Sequence, residues 1–187
     1  MKISCILSLL VPALWTAAAA PPETSRPLEL GAMQAVSPDG STLIFVTHGD
    51  LWTVPTAGGG ATRLTHHPAQ DRWPVFSPDG AQLAFTSNRD GYFGLYVMPV
   101  NGGPVTQIGF HSEGYTPLQW TEEGILCENW RDHGGLIGRR LFLINTTQRV
   151  AEQRVFDAYA SRGQISPNRT QILFCREGSK VYRKGYQ

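Results

Sequence analysis

The tetrapeptide Ser37-Pro38-Asp39-Gly40 returns 40 residues later as Ser77-Pro78-Asp79-Gly80. Two degenerate copies follow: Thr121-Glu122-Glu123-Gly124 after a further 44 residues and Ser166-Pro167-Asn168-Arg169 after 45 more. Each copy has an apolar or aromatic residue before it (Val36, Phe76, Trp120, Ile165) and a strand-like run after it ("LIFV", "LAFTS", "ILCEN", "QILFC"). A third marker then recurs as "DLWTVP", "GLYVMP" and "RRLFLIN". The first two of these lead into Gly-rich turns and short fourth runs, "GGGATRLT" and "NGGPVTQIG". Chance can repeat one tetrapeptide, but hardly four markers in the same order.

Turn chemistry fixes how each unit folds. Proline presets φ at a turn's first corner, aspartate hydrogen-bonds its own backbone, and glycine takes positive φ without steric cost. "LWTVP" and "LYVMP" are β-branched and aromatic, and each ends in a proline that cannot continue a ladder. No segment beyond the first twenty residues sustains apolar spacing at 3.6 residues. Each unit therefore reads strand, turn, strand, loop, strand, turn, strand. A period of 40–45 residues with four strands per unit is the pattern of a β-propeller blade. A β-sandwich also uses short strands, but has no reason to repeat its turn chemistry at this period. The expected fold is all-β, a propeller over residues 33–187 that is incomplete at about three and a half blades. Propellers close with roughly four to eight blades, and "SKVYRKGYQ" stands where a third strand of the fourth unit should start. The chain is thus expected to be the front of a longer protein, the rest of which completes the ring.

The N-terminus has a different character. "MKISCILSLLVPALWTAAAA" runs from an early cation, Lys2, through an apolar stretch to small residues, the order of a cleavable secretory signal. Pro12 and the alanine tail leave it too short and weak for a stable membrane span. Residues 1–20 are read as signal peptide and 21–32 as linker, giving an exported protein, periplasmic or secreted, with no span after cleavage. Cys127 and Cys175 remain in the mature chain, both within apolar runs. They read as small buried hydrophobes, and the sequence leaves open whether they pair. Lys+Arg 16 against Asp+Glu 15 gives a net charge of +1 with no charged run, which removes any electrostatic case for a nucleic-acid partner.

The search for chemistry returns no catalytic, cofactor-binding or metal residues. The sequence has no G-x-S-x-G, no phosphate-binding G-x-x-x-x-G-K, no G-x-G-x-x-G after a strand and no H-E-x-x-H. His66-His67 before Asp71 offers a metal pair on paper, but loop histidines of this kind are usually solvated. Asp39 and Asp79 recur with the turn, so their expected role is to bind backbone, and Glu122-Glu123 belongs to the third turn. "SNRDGYFG" and "NWRDHGG" are loops at equivalent blade positions, each with an Arg-Asp pair expected to form a local salt bridge. Asn145-Thr146-Thr147 and Asn168-Arg169-Thr170 match the glycosylation sequon, which matters only in a eukaryotic secretory pathway.

The stretch "FSPDGAQLAFTSNRDGYFGLYVMPVNGGPVTQI" resembles the propeller repeat of TolB and of the tricorn-type proteases. Two end segments, "GDLWTVPTAGGGATRLTHHPAQDRWPVFSPDG" and "ILFCREGSKVYRKGYQ", are similar to tricorn-like proteins in particular. TolB would also place an α/β domain ahead of its propeller. The resemblance implies an N-terminal propeller segment of an exported serine peptidase that gates or guides peptides, with the catalytic core outside this chain. Its partners would be peptide substrates and the remainder of its own chain. Two other readings are a TolB-like module that docks an envelope protein, and the propeller of a prolyl-oligopeptidase-type hydrolase.

Overall fold

The computed structural model describes residues 33–130, 138–147 and 151–176. The signal peptide and linker expected over residues 1–32, and the "SKVYRKGYQ" segment, lie outside these residues. Blade one holds β1 (Gln34–Val36), β2 (Thr42–Thr47), β3 (Asp50–Pro55) and β4 (Thr62–Arg63). Blade two holds β5 (Asp71–Phe76), β6 (Gln82–Ser87), β7 (Gly94–Pro99) and β8 (Thr106–Gly109). Blade three holds β9 (Thr116–Thr121), β10 (Gly124–Asn129), β11 (Arg140–Ile144) and β12 (Gln153–Arg154). Blade four is represented by β13 (Ala160–Ile165) and β14 (Ile172–Arg176). Strands pair in chain order and antiparallel within each sheet, so three four-stranded blades and a two-stranded start appear as the repeat requires. Strand β12 has no Gly-rich turn before it, and the sequence reading did not place it.

The SPDG turn is built as its chemistry demands. Ser37 Oγ donates to Asp39 Oδ1 (2.5 Å) and accepts from the Thr42 amide (2.9 Å). Asp39 Oδ1 also accepts the Ser41 amide (3.0 Å), and Gly40 sits at φ 73°. Ser77, Asp79, Ala81 and Gly80 (φ 71°) repeat the arrangement. In the fourth copy Asn168 takes the aspartate's place, and Arg169 adopts φ 57° where the others have glycine. The third copy departs from this plan. Trp120 pairs with Ile125, whereas Phe76 pairs with Leu83, so its loop is two residues shorter. Thr121 and Gly124 are directly opposed, and Glu122-Glu123 alone make the turn.

The core is divided among the gaps between blades. Side chains alternate faces along each strand, and both faces of a middle blade are covered. On β6, Leu83 and Phe85 join Ile44, Leu51, Tyr96 and Met98 between blades one and two, while Ala84 joins the next gap. Leu95, Tyr115, Ile125, Cys127 and Ile144 fill the gap between blades two and three. Leu126, Leu141 and Ala160 fill the gap to blade four, with Phe156, Ile172 and Phe174 packed against them. Every residue of β10 is buried. A buried leucine contributes about 1.5–3 kcal/mol, so each gap supplies its own adhesion and neighbouring blades stabilise one another. Cys127 lies in the second gap and Cys175 is exposed on blade four, beyond the third; both are free thiols.

The first strand of each blade packs beside the first strand of the next, so β1, β5, β9 and β13 form a row at the inner rim. Each of the last three has a register shift against its neighbour. At two of these bulges a non-glycine residue takes positive φ: Trp73 at 50° and Arg162 at 54°. Bulges of this sort re-aim side chains.

Candidate functional site

Antiparallel pairing sorts the connections onto two ends. The SPDG and Gly-rich turns occupy one end. At the other lie the loops from second to third strand and the crossovers to the next inner strand. The former lengthen along the chain, from His48-Gly49 in blade one to residues 88–93 in blade two. His48 (φ 52°) and Gly49 (φ 85°) make the tight hairpin that needs positive φ at both corners. The corresponding loop of blade three includes Arg131-Asp132, which falls outside the described residues.

This loop end carries three acids with little or no exposure, each held by an arginine. Asp71, 0 % exposed, accepts from Arg89 Nη2 at 3.1 Å. Asp50 is paired with Arg63 (2.6 Å) and Glu128 with Arg139 (3.0 Å). Glu128 Oε2 also accepts the amide of Arg162 (2.9 Å), tying blade three to the bulge of blade four. Arg89 and Asp90 do not form the expected local salt bridge. Adjacent residues point apart, so Arg89 reaches Asp71 while Asp90 accepts the Tyr96 hydroxyl at 2.5 Å. Burial, and then the Asp90 carboxylate, push the Tyr96 phenol well above its ordinary range. These groups act as anchors, each carboxylate engaged by a donor.

What faces outward is cationic and aromatic. Arg72 on β5 stacks over Phe93 (4.8 Å) and Trp73 (5.9 Å), and its Nη2 donates to the Gln70 amide oxygen. Arg139 lies over the Trp130 ring, 38 % exposed, and Arg140 over Tyr159. The inner rim thus offers one guanidinium plane backed by rings, that of Arg72 on β5, while Arg139 and Arg140 stack at β11, the third strand of blade three. The Arg72 cluster suits an extended polar chain with carboxylates or amides. Sequence reasoning placed Arg-Asp loops here but missed Arg72 and Trp73. The positive φ at Trp73 has no glycine to announce it.

His66, His67 and Asp71 do not converge. Both histidines are exposed, His67 Nδ1 accepting the Ala69 amide at 3.1 Å, while Asp71 is buried against Arg89. Among the described residues no group of three His, Cys, Asp or Glu side chains could hold a metal ion.

Comparison with known proteins follows the fold. The tricorn protease N-terminal beta propeller domain family matches residues 32–187. Tricorn protease homolog 1 of Streptomyces coelicolor is 35 % identical over 88 residues, covering 46 % of this chain and 8 % of that protein. A second tricorn protease homolog of the same organism is 41 % identical over 70 residues, covering 37 % of this chain and 6 % of its own length. The aligned stretches therefore cover less than a tenth of these relatives. The crystal structure of TolB from Acinetobacter baumannii superposes with a TM-score of 0.67 at 19 % identity, over 79 % of this chain and 38 % of that one, which shows a shared fold. A family match across all four blades, on a structure with the required sheets and turns, places this chain among the tricorn protease N-terminal β-propeller domains.

Proposed function

We propose that this chain is the propeller segment of an exported tricorn-like serine peptidase and that it guides peptide substrates without cutting them. The observation that carries the reading is the loop end itself. Its buried acids are occupied by arginine, while Arg72, Trp73 and Phe93 stand ready to hold a peptide on the inner rim. The similarity to tricorn protease homologs supports the peptidase context. In this account the rest of the longer protein supplies the serine nucleophile and its partners. Export rests on the order of charge, apolar and small residues in positions 1–20.

The test uses the full native protein, with Arg72→Ala/Trp73→Ala assayed on a short chromogenic peptide and on peptides several times longer. Guidance by the rim predicts unchanged turnover of the short substrate and a several-fold lower kcat/KM for the long ones. Equal rates on both classes, in variant and parent, would refute it.

A further inference from the structure

A groove of about 650 Å³ runs along the outer side of the gap between blades one and two. Residues 62–67 of blade one form one wall and the β7–β8 hairpin of blade two forms the other. Its loop end gathers Arg63, His66, His67 and Arg89; Met98 and Val105 line it further along.

The donors at that end are incompletely used. The Arg89 side chain is only 14 % exposed, and its guanidinium lies over the rings of Phe85 (5.3 Å) and Tyr96 (4.9 Å). Nη2 serves Asp71 and Nε serves Ser87 (3.0 Å), leaving Nη1 over. Arg63 repeats the pattern, with Nη2 on Asp50 and Nε on the Thr65 carbonyl (2.8 Å). The Ala69 amide donates to His67 Nδ1, which fixes the ring proton on Nε2 as an outward donor. Asp50 and Asp71, the carboxylates facing these arginines, are already engaged by them. What remains is a set of N–H donors.

We propose that this end of the groove is an oxyanion site, taking a carboxylate or phosphate group. Arg63, His66, His67 and Arg89 would supply its hydrogen bonds. Guanidinium forks match the planar or tetrahedral oxygens of such groups. Leu64 and Val105 beyond it would favour an oxyanion that carries a short carbon chain. Its test varies Arg63 and the two histidines on the β4 side rather than Arg72 and Trp73 on β5, so its failure and the failure of peptide guidance are distinguishable.

Isothermal titration of the full-length protein with inorganic phosphate, acetate and hexanoate tests it. Saturable binding of phosphate or a carboxylate is expected, weakened about fivefold or more in Arg63→Gln and in His66→Gln/His67→Gln. The second variant changes only exposed side chains, so the fold is retained even if Arg63→Gln exposes Asp50. Hexanoate binding tighter than acetate and phosphate would assign the ligand as an organic carboxylate; phosphate binding tightest would assign a phosphate. Binding of none of the three anions, or binding unchanged by the histidine variant, would overturn the proposal.

Discussion

Asp39 and Asp79 show how one side chain organises a turn. The Ser37 hydroxyl, then the Ser41 amide and hydroxyl, hold the Asp39 carboxyl down to about 2, and the Ser77 hydroxyl lowers Asp79 in the same way. Depressed folded-state values mean that the contribution is fully present above the unfolded value of about 3.9. It is lost as pH falls through the folded value. Thermal melts from pH 5 to pH 2 should therefore show a steeper acid-side fall for the parent than for Asp39→Asn/Asp79→Asn; parallel curves would count against the turn's role. Asp71 acts across a longer distance. Its truncation in Asp71→Ala would leave Arg89 buried without its anion, and a loss of about 3–5 kcal/mol in denaturant unfolding is expected. The turn aspartates were legible in the sequence because the turn repeats. The Asp71–Arg89 pair was not, since Arg89 has Asp90 beside it and only the fold brings Asp71 within reach.

Strands and hairpins were read where their signals were local. β2, β3, β6 and β7 follow directly from β-branched runs bounded by SPDG and proline. The third hairpin was only partly visible, because "TEEG" occupies the SPDG position yet folds as a two-residue turn. Gly124 is the reason it can: its φ is 150°, and a Cβ there would collide with the Ile144 carbonyl oxygen on β11. Gly124→Ala is expected to cost about 1–3 kcal/mol in denaturant unfolding, whereas Gly40→Ala meets no neighbour within 4 Å and carries only its turn strain. Equal losses at the two positions would contradict the distinction. β12 and the bulges at Trp73 and Arg162 escaped the reading for a common physical reason. Packing between blades dictates them: no glycine or proline precedes β12, and Pro74 and Gly163, which do stand inside the two bulges, mark an irregular strand without saying which residue takes positive φ.

Across the whole molecule, adhesion resides in gaps shared by neighbouring blades, which is why the fold could be read from a period. Alternating residues on β6 and β10 must serve two neighbours each, so both faces are apolar and the runs look continuous. The inner row of β1, β5, β9 and β13 then brings Arg72 and Trp73 to one rim, far from anything their sequence neighbours announce. The central claim is that this propeller serves an exported peptidase much longer than itself. Intact mass spectrometry of the native protein from the cell envelope of its source tests that most directly. A mass several times the 20.6 kDa of this chain, with a start within about a residue or two of position 20, the small-residue end of the signal, is the expected result. A species lighter than 20.6 kDa, or one that retains Met1, would contradict it.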